Sequence, residues 1–139
     1  MRIIMDERGK KYLLKAGEDF QTDMGIIQSR MIEEARPGDV LRTHLGREVY
    51  VLKPSLSDYL ELMERRCSIL LPKDIGMICA YTGIVNGSRV VDAGTGAGTV
   101  AMYLANVVGE SGHVTTYEIR QDFAEVAERN IRDFGFKNI

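Results

Sequence analysis

The run VVDAGTGAG, from Val90 to Gly98, is the feature that most narrows what this chain can fold into. Two β-branched residues and an aspartate lead directly into three glycines at alternate positions, and an apolar periodicity begins at Thr99. Strand, glycine turn and helix in immediate succession mark a parallel α/β unit. Glycines in the turn let a ligand approach backbone that side chains would otherwise cover. The pattern predicts a strand over Arg89–Ala93 and a helix over Thr99–Val108, with Val100, Leu104, Val107 and Val108 inward. It then repeats: a strand over His113–Glu118 precedes a helix over Gln121–Phe134 whose core stripe is Phe123, Val126, Ala127 and Ile131. Upstream, Pro72 opens another predicted helix, with Asp74 in its first turn and Ile75, Ile78 and Cys79 as a buried face. Asn86-Gly87 is a turn.

Residues before about 60 have a different texture. Short β-patterned runs such as Lys11–Lys15 and Glu48–Leu52 are separated by Gly9, Gly17, Gly25, Gly38 and Gly46, which predicts a small all-β module. Leu45-Gly46-Arg47 is a hairpin turn, and Val49 and Val51 alternate with Tyr50 and Leu52 across the following strand. After Pro54, Ser55 is placed to cap a helix to about Arg66, with Asp58 at its third position and Tyr59, Leu60 and Met63 as the apolar stripe. These features divide the chain into a β-rich substrate-binding or assembly domain with its linking helix (1–63) and an α/β domain (64–139).

The glycine spacing separates two ligand classes. A dinucleotide turn needs G-x-G-x-x-G, but counting from Gly94 and Gly96 the third position is Thr99. Asp92, two residues before Gly94 at the strand's end, would also repel a pyrophosphate. NAD is therefore not expected to bind. An acidic strand end suits a ligand carrying positive charge, and S-adenosylmethionine has both an ammonium and a sulfonium. Glu118, at the end of the next strand, is placed to accept two hydrogen bonds from ribose hydroxyls. The predicted donor site is thus Asp92, the loop Gly94, Thr95, Gly96, Ala97, Gly98 and Thr99, and Glu118.

The ordered blocks RGKKYLL at Arg8, DVLRTHLGREVYVLKPSLSDYLELMERR at Asp39, LPKDIG at Leu71, DAGTGAG at Asp92 and TYEIRQDFAEVAERN at Thr116 resemble those of the tRNA adenine-N1 methyltransferases of archaea and bacteria that modify the T loop. DAGTGAG alone fits many methyltransferases, whereas the PKD helix start and the β-module with its THLG turn are more specific. The resemblance implies a Rossmann-like class I S-adenosylmethionine-dependent methyltransferase fold, here incomplete, behind a small β domain. It implies methyl transfer to N1 of a tRNA adenine, a homo-tetramer whose subunits together hold tRNA, and Ile69 and Leu70 as cover for the cofactor. Cys67, Ser68 and Leu71 depart from the family's usual residues before the proline. The family also places an Asp at the end of a fourth strand, against the adenine's exocyclic amine. That position lies beyond Ile139, so the chain is expected to be truncated and inactive alone, with no catalytic residue of its own. Two other readings stay open: a non-catalytic tRNA-binding subunit, and a protein isoaspartate-type methyltransferase, for which the β-module would have no purpose.

Charge and the remaining reactive side chains bound the rest. A net charge of −2 gives no global attraction for nucleic acid, so RNA binding requires a local patch or a surface shared between chains. Arg65, Arg66 and Lys73 form such a patch or a solvated surface. Arg120 is expected to anchor the loop beside Glu118, His44 to cap its hairpin, and His113 to lie exposed. Cys67 and Cys79, without metal-ligand spacing, are expected as reduced core thiols. No apolar run approaches the roughly 18 residues of a membrane span, and Met1–Lys15 has no signal-like apolar core, so the expected location is cytoplasmic.

Overall fold

The computed structural model describes residues 1–139, which divide into two compact units, Met1–Met63 and Glu64–Ile139. In the first, strands β1 (Arg2–Asp6), β2 (Lys11–Leu14), β5 (Val40–Arg42) and β6 (Glu48–Leu52) form an antiparallel sheet in the order β2-β1-β6-β5. A separate hairpin joins β3 (Phe20–Thr22) to β4 (Gly25–Ile27), followed by the short helix α1 (Ser29–Glu34). The alternation predicted for Glu48–Leu52 is present: Val49 and Val51 are fully buried while their neighbours are partly exposed. They pack with Ile4, Phe20, Ile27 and Ile32, and burying each such side chain is worth about 1.5–3 kcal/mol. The module is thus β-rich rather than wholly β, because α1 seats Ile32 in this core.

The hairpin turn between β5 and β6 spans Thr43–Arg47, closed by Thr43 N–H on the Arg47 carbonyl at 2.9 Å. His44 caps it structurally: its Nδ1 accepts the Ile26 N–H at 2.9 Å, binding β4 to the turn. Asp6 closes the β1–β2 turn from a buried position, accepting from the Arg8 and Lys10 N–H groups and the Tyr12 hydroxyl.

Helix α2 (Leu56–Leu62) begins with the capping box expected at Ser55 and Asp58 but ends at Leu62, short of Arg66, with Met63 in extended conformation. Asp58 also pairs with Lys11 of β2. The Lys11 ammonium, with help from Ser55, holds its carboxyl below the ordinary Asp value of 3.8 against the opposing effect of burial. A depressed carboxyl stabilises the fold above its unfolded value, and that contribution disappears as pH falls through the lower folded value. Asp58→Ala is therefore expected to cost about 1 kcal/mol at neutral pH through the lost cap and pair. The difference from wild type in denaturant titrations should vanish in strong acid.

The second unit contains α3 (Pro72–Thr82), β7 (Arg89–Ala93), α4 (Thr99–Val108), β8 (His113–Tyr117) and α5 (Gln121–Phe134). β7 and β8 pair in parallel, Arg89 opposite His113 and Ala93 opposite Tyr117. The core forms where α4 meets the sheet: Ala101, Leu104, Ala105 and Val108 pack with Val114. The opposite sheet face is uncovered, with Val91 73% and Tyr117 62% exposed, whereas parallel sheets are normally covered on both faces. Three expectations change here. Ile78 of α3 is exposed rather than buried, because that helix turns Ile75 and, in part, Cys79 to the interior instead. Cys67 and Cys79 are free but only half-buried, and His113, paired in register with Arg89, is half-buried rather than exposed.

Candidate cofactor site

Each part of the glycine loop is held by a specific bond. The N–H groups of Gly94 and Thr95 donate to the Tyr117 carbonyl at 2.8 and 3.2 Å, which fixes the loop to the end of β8. Gly98 N–H then turns back onto the Thr95 carbonyl at 2.8 Å. Gly94, Gly96 and Gly98 have φ of 89°, 56° and 89°, a region in which a Cβ is strained. At Gly96 a Cβ would also stand 3.0 Å from Cys67 Sγ, so only glycine fits there without displacing the thiol.

Two acidic residues flank this loop. Glu118, one residue past β8, accepts the Gly96 N–H at 2.9 Å on Oε2 and the Arg120 N–H at 3.0 Å on Oε1. The Arg120 amide, then that of Gly96, hold its carboxyl below the ordinary Glu range. Asp92 Oδ2 accepts the Thr116 hydroxyl at 2.7 Å, and Thr116 lies 2.6 Å from the Thr95 hydroxyl. With its proton on Asp92, Thr116 must accept from Thr95, so a single directed chain links loop, β8 and β7.

A cavity of about 420 Å³ opens beside the loop. Of the predicted site residues, Ile69, Leu70, Asp92, Gly94, Thr95, Gly96, Ala97 and Thr99 line it. Gly98 does not: it faces inward, where a Cβ would touch Met102, Ala127 and Ile131. Glu118 borders an adjoining hollow that shares Thr95 with the cavity, and it meets the loop through Gly96. Nothing lies within 4 Å of where a Cβ on Gly94 would stand, which leaves backbone open to a ligand there. The Thr99 hydroxyl, at the first turn of α4, is buried without a hydrogen-bond partner. An open glycine cradle between two carboxylates fits a cationic ligand that carries hydroxyls, and S-adenosylmethionine is of that kind.

Arg120 and Arg66 are both paired with neighbouring acids. Arg120 anchors the loop through its backbone, while its guanidinium pairs with Asp122 and lies 3.9 Å over the Phe123 ring. Arg66 pairs with Glu64, so the Arg65, Arg66 and Lys73 cluster is partly neutralised. Thr116 and Asn130 were not among the predicted site residues, although both bond to it. Thr116 could have been found from its position opposite Asp92 in a parallel register. Asn130 carried a plainer signal, a polar residue on the apolar stripe of α5.

Solved structures share this fold. An S-adenosylmethionine-dependent O-methyltransferase from Thermotoga maritima matches 97% of this chain and 52% of its own, with 35% identity and a TM-score of 0.87. The tRNA (m1A58) methyltransferase TrmI from Aquifex aeolicus matches 99% of this chain and 53% of its own, with 26% identity and a TM-score of 0.77. The second unit therefore has the Rossmann-like fold of S-adenosylmethionine-dependent methyltransferases. Residues 47–139 match the family model described as tRNA methyltransferase complex GCD14 subunit, and the chain belongs to that family. The tRNA (adenine(57)-N(1)/adenine(58)-N(1))-methyltransferase TrmI of Methanocaldococcus jannaschii is 48% identical over 135 residues, 96% of this chain and 47% of that protein. The chain thus spans about half the length of the curated relatives it matches.

Proposed function

We propose that the protein transfers a methyl group from S-adenosylmethionine to N1 of an adenine in tRNA. The observation that carries this reading is the bridge from Glu118 to the Gly96 amide beside an open, acid-flanked glycine cradle. Family membership supports the same chemistry. S-adenosylmethionine, when bound, supplies a methyl group on positively charged sulfur, open to in-line displacement by the adenine N1 lone pair.

The chain's own residues act by holding and orienting. Two backbone N–H groups fix the Glu118 carboxylate, which retains lone pairs for two ribose hydroxyls. Gly94, Gly96 and Ala97 give the donor backbone to lie against, and Asp92 sets a negative charge near its cationic end. Thr95 and Thr99 border that surface, Gly98 shapes the turn beneath it, and Ile69 and Leu70 cover it. None of these groups needs to exchange a proton, so positioning supplies their share of the rate.

The same proposal includes a homo-tetramer that binds tRNA in the cytoplasm. With 18 Lys and Arg against 20 Asp and Glu a single chain has no excess of cations for a polyanion, and pooling basic residues between subunits meets that need. No helix is long and apolar enough to cross a membrane. Calorimetric titration should show saturable binding of S-adenosylmethionine that NAD at the same concentration does not displace. Displacement by NAD, or no binding of S-adenosylmethionine, would reject the donor-site assignment.

A further inference from the structure

Asn130, on the last turns of α5, is only 5% exposed and shares the buried face of that helix with Val126 and Ala127. Its single amide nitrogen donates twice, to the Ala97 carbonyl at 3.0 Å and to the Glu64 carbonyl at 3.0 Å. Ala97 belongs to the glycine loop. Glu64 begins the segment that reaches Ser68, Ile69 and Leu70, which form the other wall of the cavity. A second tie lies beside the first, where Arg129 pairs with the Glu64 carboxylate at 3.2 Å. Along the same segment, Cys67 Sγ rests against the Gly96 position.

Two carbonyls converging on one nitrogen require a short neutral side chain with two N–H bonds on a single atom, and asparagine supplies it. Aspartate at this position would turn both contacts into repulsion between acceptors, and alanine would remove the donor from the buried Ala97 contact and from the part-buried Glu64 contact. We infer that Asn130 is a positioning residue that locks the glycine loop and the 64–70 segment at one spacing, and so sets the shape of the methyl-donor cavity. This inference rests on the donor-site reading above for its ligand, but the coupling of the two walls is a property of the free protein.

The test compares wild type with Asn130→Asp and Asn130→Ala at a temperature where circular dichroism shows each folded. Asn130→Ala carries the same test if the buried carboxylate prevents folding. Titration with S-adenosylmethionine is expected to show about tenfold weaker binding in both variants, the effect of losing one net hydrogen bond's worth of preorganisation. In a methyl-transfer assay of the protein in its full natural length the loss falls on KM for the donor, with kcat near wild type. Two readouts without ligand follow the two walls: the bonded amides of Gly96 and Gly98 should exchange faster, and the half-buried Cys67 thiol of the 64–70 segment should be modified faster by a thiol reagent, while the β8 amides keep their wild-type exchange rates. Unchanged donor affinity in the variants, or loosening of only one wall, would overturn the role given to Asn130. A wild-type protein that fails to bind the donor would instead remove the donor-site reading, and the loop exchange together with the Cys67 reactivity would still decide whether Asn130 couples the walls.

Discussion

Glu118→Ala lowers affinity for S-adenosylmethionine by about 10- to 100-fold, the loss expected when hydrogen bonds to a charged acceptor are removed. Two effects combine in that figure. The ribose hydroxyls lose their acceptor, and the Gly96 N–H loses the carboxylate that orients it at 2.9 Å. Glu118→Gln separates them, since its carboxamide keeps one acceptor oxygen and should fall between wild type and alanine. Folding should be little affected, because Glu118 lies just beyond β8, outside the core formed by Ala101, Leu104, Ala105, Val108 and Val114. Calorimetry at neutral pH checks the prediction. Equal affinity for wild type and Glu118→Ala would remove Glu118 from the donor site.

The second large effect concerns RNA. Removing residues 1–60 is expected to abolish tRNA binding and to leave donor affinity nearly unchanged. The glycine loop, Glu118, Asn130 and every bond described among them lie within Glu64–Ile139. The β-rich unit contributes none of these groups, yet it carries the RGKKYLL and THLG blocks that set this chain apart from methyltransferases in general. Phosphate contacts provide most non-specific affinity for nucleic acid, so the comparison belongs at physiological salt. Filter binding of tRNA to the shortened protein at the wild-type level would show that the β-rich unit has no part in RNA recognition.

The legible parts of this sequence were those with strong local periodicity. Arg89–Ala93, Thr99–Val108 and Gln121–Phe134 have the limits read from the chain, since β-branched runs, a glycine turn and an unbroken apolar stripe all point the same way. The capping box at Ser55 and Asp58 was equally readable. Where α2 stops was not: Met63-Glu64-Arg65-Arg66 favours helix by composition, yet Met63 turns to extended backbone. α1 is a six-residue helix without a side-chain cap, too short to rise above its surroundings. Ile78 shows the limit of periodicity, which marks a face without showing whether anything covers it.

In the site, the residue types were legible and their partners were not. Asp92, Glu118 and the glycines stand out by spacing. The contacts that fix them come from residues remote in sequence, Thr116 on Asp92 and Asn130 on Ala97, and no local pattern encodes such pairings. Arg120 does anchor the loop beside Glu118, but through its backbone N–H, the guanidinium being drawn to Asp122 two residues away.

The most direct measurement of the central claim is the fate of the methyl group. The protein, in its full natural length, is incubated with S-adenosylmethionine carrying an isotopically labelled methyl and with unmodified tRNA, and the RNA is digested to nucleosides for mass spectrometry. Label is expected in 1-methyladenosine, with an initial rate about 5- to 50-fold lower for Glu118→Ala at a donor concentration near the wild-type KM for donor, as its 10- to 100-fold weaker affinity requires. Label in another nucleoside, or in protein carboxyl groups with the tRNA unmodified, would contradict the proposed reaction.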